Sequence, residues 1–305
     1  MTISELKAGD FASMTSTVTE EDLCRYAQLT GDYNPIHMEE NRAAARSDRL
    51  NLPAERILDM SEAACYEAEF CVVGRDSDCF SQCQAGALLS YLQETGLAAL
   101  AAAGLSRSYL LERHNVFWML ARLEYTLKRP ILLGDVITVR AWSRNAHGMG
   151  IYRDYEILRS GIKIGEALAL WMLADGETRA LFPAGRIPEL AAVWSAPPEK
   201  KRQLKRLILP EELVAMQCRT VEYSQVDMNG HLNNSRYADL VCDAIGLGKL
   251  DGAYISSLRL SYLSECLPGC VLELSAGQRE NVRYVRGTGR DGAVRFEAEA
   301  VLCRT

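Results

Sequence analysis

Apolar residues recur at helical spacing in two separate stretches of the chain. A repeat every three or four residues places them on one face of an α-helix and predicts a single buried stripe in each stretch. Glycine, which readily ends a helix, follows the first stretch at Gly104 and the second at Gly246 and Gly248. The stripes are formed by Ala85, Leu88, Leu89, Leu92 and Leu100 in the first helix and by Tyr237, Leu240, Val241, Ala244 and Ile245 in the second.

Runs of strand-forming residues follow each predicted helix. Residues 136–139 are consecutive strand formers, and Ile162 and Ile164 open another run. Near the C-terminus, apolar residues alternate strictly with polar ones from Val294 to Ala300. Such alternation is typical of a sheet that has one face covered.

The same order of elements occurs twice after residue 66. Residues 78–82 overlay residues 227–231 with no gap through the following helix, and residues 123–134 overlay residues 258–269. Each half reads strand, loop, helix and then an antiparallel meander wrapped around that helix, which is the plan of a hot-dog fold. We predict an α+β tandem double hot-dog with two long helices and a short helical N-terminal appendage. The predicted parts are residues 1–62 (appendage), 63–194 (first repeat), 195–209 (linker) and 210–305 (second repeat).

The predicted linker is rich in proline and charge, as linkers are. Its basic residues are concentrated at one end, within residues 200–206. One interpretation is a solvated linker, because an isolated charge run specifies little. The other is a docking strip for an acidic carrier protein, because complementary charge speeds encounter. The basic residues are Lys200, Lys201, Arg202, Lys205 and Arg206.

The length and composition of the chain agree with a tandem fold and exclude some classes of function. A chain of 305 residues exceeds the usual size of one hydrophobic core. Its residues are 48% hydrophobic and 24% charged. With no uninterrupted apolar run of about twenty residues, we expect a globular protein without a membrane span. A net charge of -6 argues against non-specific binding of nucleic acid, which needs a basic face.

The N-terminus and the cysteines bear on location and metal binding. The chain does not open with a basic leader followed by an apolar core, so we predict a cytoplasmic protein whose thiols stay reduced. The closest cysteine pairs are Cys79 with Cys83 and Cys266 with Cys270, and neither belongs to a four-ligand zinc spacing. We predict no metal and no cofactor.

Polar residues crowd the entrance of the second predicted helix, in residues 227–234. Backbone N–H groups at a helix start lack intrahelical partners and suit a carbonyl oxygen that becomes an oxyanion. His231 can exchange protons near neutral pH, and Asp227 could orient it. The same residue types also cap helices, so this pattern alone leaves a structural role open.

The segment nevertheless resembles the active-site motif of the fatty acyl-acyl carrier protein thioesterases of plants and bacteria. Asp227, Asn229 and His231 match its Asp-x-Asn-x-His, followed by Asn-Asn and a helix that carries a tyrosine. Residues 262–266 resemble the family segment in which a catalytic glutamate, here Glu265, stands beside a cysteine. The resemblance extends from about residue 66 to the C-terminus. It also includes residues 92–95, Trp118, residues 129–130, residues 134–135, Trp142, residues 153–154, Trp171 and residues 178–179.

The resemblance implies a thioester hydrolase whose catalytic set is Asp227, Asn229, His231 and Glu265, all in the second repeat. It implies that Glu265 deprotonates water with help from His231, and that Asn229 steadies the oxyanion. It also implies an acyl carrier protein as partner, whereas monomer and homodimer both stay open.

The first repeat carries Phe80, Gln82 and Pro130 where the catalytic residues Asn229, His231 and Glu265 stand in the second. By resemblance, the first repeat binds the acyl chain. We expect Leu92, Ala99 and Trp118 to line its site.

The N-terminal part resembles the start of another hot-dog family, the enoyl thioester hydratases of MaoC type. Asp32 and His37 match catalytic positions of that family, but the likeness stops near Arg46. About 60 residues are too few to enclose an acyl pocket alone. We therefore interpret this part as an appendage, with a second, lyase activity as the alternative.

Two rival functions stay open for the whole chain. One is a thioesterase acting on coenzyme A esters, because both substrates share the pantetheine arm. The other is a non-catalytic sensor of acyl thioesters, because a hot-dog pocket can bind a ligand without cleaving it.

Overall fold

The computed structural model describes residues 65–144, 149–191 and 202–304. The predicted appendage, with Asp32 and His37, lies outside these residues. Among the described elements no helix is long and apolar enough to cross a membrane. The same residues contain no group of three or more His, Cys, Asp or Glu side chains placed to hold a metal ion.

The described part of the first repeat contains three α-helices and six strands. Its longest helix follows the first strand and is wrapped by the strands that come after it. The helices are α1 (Ala85–Ala102), α2 (Arg107–His114) and α3 (Pro188–Ala191). The strands are β1 (Tyr66–Cys71), β2 (Val116–Leu127), β3 (Val136–Ser143), β4 (Gly150–Arg159), β5 (Ile162–Asp175) and β6 (Leu181–Phe182).

The second repeat contains one α-helix and five strands in its described part. The helix, α4 (Arg236–Ile245), ends at Gly246, whose left-handed φ of +66° suits glycine. The strands are β7 (Val214–Thr220), β8 (Ala253–Tyr262), β9 (Val271–Arg279), β10 (Val282–Gly289) and β11 (Val294–Arg304).

The described strands join one antiparallel sheet in which the two repeats mirror each other. The main order is β1-β3-β4-β5-β2 in the first half and β8-β11-β10-β9-β7 in the second, with β6 paired to β5. The central strands β2 and β8 pair directly, for example at Leu123 and Leu260. The prediction of a tandem hot-dog is confirmed. The two helices differ in length, because α1 has 18 residues and α4 has 10.

The two helices pack on one side of this sheet and share a single core. Most of the apolar stripes of α1 and α4 lies in the same buried cluster, which includes Leu92 and Val241, whereas Leu100 belongs to a second cluster. The helices approach closely at Gly86, where a Cβ atom would lie only 2.1 Å from Asp239 Oδ1. The second repeat's helix is therefore held against the first repeat rather than packed independently.

Residues 202–206, in the described part of the predicted linker, are attached to the opposite face of the sheet. Arg122 Nη1 donates to the carbonyl oxygen of Leu204 at 2.8 Å. The Leu204 side chain is buried beside Tyr152. Arg202 forms an ion pair with Glu124, so its charge is compensated within the chain. One of the basic residues of the run is therefore paired within the chain, and both interpretations of the run stay predictions.

Candidate active site

Two loops of the same conformation precede α1 and α4. In the second repeat, Asp227 Oδ1 accepts the backbone N–H of Asn229 at 2.8 Å. In the first, Asp78 Oδ1 accepts the backbone N–H of Phe80 and of Gln82, each at 2.9 Å. The N–H of each aspartate also donates to the carbonyl four residues later. The aspartate therefore builds the turn in both repeats, so its presence alone does not indicate chemistry.

A cavity of about 600 Å³ lies beside the second loop. The predicted catalytic residues Asp227, Asn229, His231 and Glu265 all line it. The opposite wall comes from α1 and β2 of the first repeat, so the site lies between the repeats. Apolar lining residues include Leu97, Phe117, Trp118, Leu120, Trp171 and Leu181.

His231 and Asp227 are close and well shielded. His231 Nδ1 lies 3.7 Å from Asp227 Oδ1, and the side chains are 14% and 10% exposed. This separation is longer than a hydrogen bond but permits a charge interaction in a partly desolvated site. Nδ1 faces the carboxylate, which leaves Nε2 as the ring atom available to exchange a proton with a ligand.

Glu265 and Cys266 are adjacent but occupy different environments. Both residues follow the end of β8, which is at Tyr262. The Glu265 side chain lines the cavity and is 37% exposed, whereas Cys266 is fully buried in the core. Burial raises the pKa of Cys266 to about 11, so its thiol stays protonated at neutral pH. Its carbonyl oxygen accepts the N–H of Leu232 at 2.8 Å, which ties the glutamate segment to the histidine loop.

Two arginines of the first repeat reach the candidate catalytic residues. Arg107 Nε donates to Asn229 Oδ1 at 2.9 Å. Arg179 Nη1 lies 3.5 Å from Glu265 Oε1, and its guanidinium covers the Phe117 ring at 4.8 Å from the centroid. Sequence reasoning gave neither arginine a role. Arg179 was noted only as part of residues 178–179, which match the family. No pattern in the sequence near Arg107 indicates its contact with Asn229, which is 122 positions away.

The backbone donors at the entrance of α4 differ from the expectation. The N–H of Ser235 donates to Asn233 Oδ1, and the N–H of Arg236 donates to the Asn233 carbonyl oxygen, both at 2.9 Å. These two groups are already used, so the expectation that helix-entry N–H groups serve an oxyanion is wrong for them. The side-chain amide of Asn229 becomes the main candidate donor in this loop.

The predicted acyl-binding residues separate into two groups. Trp118 lines the cavity. Leu92 instead is fully buried in the core between the helices, and Ala99 is half-buried away from the cavity lining, so these two expectations are wrong. Leu97 lines the cavity from the same helix. Residues two positions apart on an α-helix are rotated by roughly 200°, which explains why Ala99 faces elsewhere.

A smaller cavity of about 250 Å³ occupies the equivalent place beside the first loop. Asp78, Gln82 and Pro130 line it at the positions that Asp227, His231 and Glu265 hold in the larger cavity. Each repeat therefore has a cavity beside the loop that precedes its main helix. Only the larger one has a histidine and a glutamate at these positions.

Comparison with solved structures identifies the class of fold. An acyl-ACP thioesterase from Bacteroides thetaiotaomicron superimposes with a TM-score of 0.71 at 20% identity, over 79% of this chain and 99% of that one. A 12:0-ACP thioesterase from Umbellularia californica gives a TM-score of 0.67 at 17% identity, over 79% and 98% of the two chains. With its two mirrored repeats, this chain is a tandem hot-dog protein.

Sequence comparison then identifies the family. The model of the acyl-ACP thioesterase N-terminal domain matches residues 63–187, and that of the C-terminal domain matches residues 211–295. The chain belongs to the acyl-ACP thioesterase family. A MaoC like domain model matches residues 9–51, in agreement with the second resemblance noted in the sequence.

The curated relatives are longer than this chain. The chloroplastic palmitoyl-acyl carrier protein thioesterase of Gossypium hirsutum is 26% identical over 202 residues, which are 61% of this chain and 48% of the relative. Oleoyl-acyl carrier protein thioesterase 1 of Arabidopsis thaliana is 22% identical over 208 residues, 62% of this chain and 56% of the relative. The chain spans about half the length of the curated relatives it matches.

Proposed function

We propose that this chain hydrolyses the thioester of a fatty acyl group held on an acyl carrier protein and releases the free acid and the holo carrier. The observation that carries the proposal is the position of Asn229, His231 and Glu265 at one end of a cavity whose other wall is largely apolar. A cavity of this kind can bind an alkyl chain and present its carbonyl end to proton-exchanging groups.

The proposed reaction uses water as the nucleophile. Glu265, with His231, takes a proton from water, and the water oxygen adds to the thioester carbonyl. The Asn229 amide donates to the resulting oxyanion. Collapse of the tetrahedral intermediate breaks the C–S bond and expels a thiolate, which then takes up a proton. A thiol has a pKa near about 8.5, so the leaving group needs little help from a strong acid.

The carrier protein is proposed over coenzyme A because the relatives' names specify acyl carrier protein substrates. Purified chain should be assayed on saturated acyl groups of increasing length, each on carrier protein and on coenzyme A. We expect the higher kcat/KM on the carrier. Equal or higher values on coenzyme A would identify the ester acted on as coenzyme A. Binding without turnover on either would identify a sensor. The cytoplasmic location stays a prediction, and monomer and homodimer both stay open.

Acyl-length preference should depend on Leu97. Replacing Leu97 with phenylalanine extends the wall into the cavity and should shift the optimum toward shorter chains. Each methylene that loses its buried site costs about 0.8 kcal/mol, or about fourfold in kcat/KM. The matched change Ala99→Leu, on the same helix but outside the cavity lining, should leave the length profile in place. A Leu97→Phe profile that falls equally at all lengths would contradict this assignment of the acyl site.

A second activity is kept as a separate alternative because the MaoC like match covers Asp32 and His37. Both residues lie outside the described part of the chain, so the alternative rests on sequence. Hydration of a crotonyl thioester by the purified chain, lost in Asp32→Ala, would establish it. An inactive wild-type chain in that assay would leave the N-terminal part as an appendage.

A further inference from the structure

Only one of the two equivalent loops receives a contact from an extra helix. In the first repeat, residues 103–115 connect α1 to β2 and contain α2. In the second repeat, the equivalent connection, residues 246–252, holds only a short 3-10 turn at Leu247–Lys249. Helix α2 is thus an addition to one repeat, and its first residue, Arg107, contacts the loop that carries the candidate catalytic set.

Helix α2 is firmly held, which fixes the origin of the Arg107 side chain. Ser106 caps its start by accepting the N–H of Tyr109 at 3.2 Å. Leu110 is fully buried in a core cluster with residues of α3 and its neighbours. Tyr109 Oη donates to Glu189 Oε1 at 3.0 Å, which links α2 to α3. The placement of Arg107 therefore does not depend on the loop that it contacts.

The contact determines which way the Asn229 amide points. A guanidinium can only donate hydrogen bonds, so the atom that receives Arg107 Nε must be the amide oxygen. The amide nitrogen, Nδ2, then lies on the other side, 3.5 Å from Asp227 Oδ2. Nδ2 has two protons, and a single contact with Asp227 leaves one of them to donate to a ligand in the cavity. With the opposite orientation, the amide oxygen would face the reacting carbonyl and repel it.

The charge of Arg107 also favours Asn229 Nδ2 as a hydrogen-bond donor to the ligand. A cation at the amide oxygen draws electron density from the nitrogen and strengthens its donor character, as in any chain of polarised hydrogen bonds. At the equivalent position of the first loop stands Phe80, which has no amide to orient. An arginine that reaches only the loop with the asparagine is consistent with a role in that asparagine's chemistry.

We propose that Arg107 is a positioning residue of the first repeat that holds the Asn229 amide with Nδ2 toward the thioester oxygen. The inference rests on the proposed hydrolase function and adds that the first repeat completes the catalytic centre as well as binding the acyl chain. Arg107 itself need not touch the substrate.

The test compares Arg107→Ala, Arg107→Lys and Arg113→Ala in steady-state hydrolysis of the best acyl carrier protein substrate. Loss of a complete oxyanion donor costs about 10²–10³ in kcat, so loss of its orientation should cost about tenfold, with KM changed less than about threefold. Lysine also donates to an amide oxygen and should restore most of the rate. Arg113 lies exposed in the last turn of the same helix and should be replaceable without effect.

A double-mutant cycle with Asn229→Ala separates this role from a general effect. In that background Arg107→Ala should cost almost nothing further, because no amide remains to be oriented. A full additional loss there, a rise in KM with kcat unchanged, or an equal loss in Arg113→Ala would overturn the proposal. Wild-type turnover measured in the same assay tests the hydrolase function itself, so failure of the function and failure of the Arg107 role give different results.

Discussion

Replacing Glu265 with alanine should lower kcat at least about a hundredfold, the usual scale for loss of a general base. Glu265 is the carboxylate that faces the cavity from the segment after β8, and the loop of His231 is tied to that segment through Leu232. Without the carboxylate, water must attack the thioester without losing a proton to a positioned base. Steady-state release of free acid at saturating substrate measures the effect.

The matched change is Cys266→Ala, at the adjacent position. Cys266 is buried in the core, and burial keeps its thiol protonated, so it is a poor nucleophile. We expect this variant to retain most of the wild-type turnover, with a modest loss of stability from the smaller side chain. An inactive Cys266→Ala beside a nearly fully active Glu265→Ala would reverse the assignment and indicate an acyl-cysteine intermediate.

Replacing His231 with alanine should lower kcat by about 10²–10⁴, the range typical of acid-base groups. The imidazole is shielded, is close to the Asp227 carboxylate and lines the same cavity as Glu265. Its loss removes the group that can exchange protons with water or the leaving thiolate. The expected effect is on kcat more than on KM, because we propose that the acyl chain binds to the first repeat.

Gln82→Ala is the control that the duplicated fold supplies. Gln82 occupies the position of His231 in the equivalent loop and lines the smaller cavity. If hydrolysis takes place only in the larger cavity, Gln82→Ala should retain wild-type turnover. A comparable loss in both variants would mean that the two loops support the fold in the same way and that neither effect reports on chemistry.

The architecture could be predicted from the sequence for two reasons. The periodicity of apolar residues indicates the helices and strands, and the ungapped overlay of the two halves indicates the repeat. The stripe of Leu88, Leu89 and Leu92 is the buried face of α1, and Gly246 ends α4. The convergence of His231 and Glu265 could be inferred only through the resemblance to a family. No spacing rule places a loop after β8 beside a loop before α4.

The features of the candidate site that the sequence did not predict depend on packing between the repeats. Ala99 and Leu97 are equally compatible with a helical pattern, and only the position of the cavity distinguishes them. The contacts of Arg107 and Arg179 cross from one repeat to the other, where sequence periodicity carries no information. Arg202, which the sequence alone presents as one cation of a charge run, is paired with Glu124 of β2.

The most direct test of hydrolysis at this site is mass spectrometry of both proteins after a quenched incubation of the chain with an acyl carrier protein substrate. The account predicts that the carrier loses the mass of its acyl group, that an equal amount of free acid appears, and that this chain never gains mass. A carrier that keeps its acyl group, or an acyl adduct on the chain at Cys266, would contradict it.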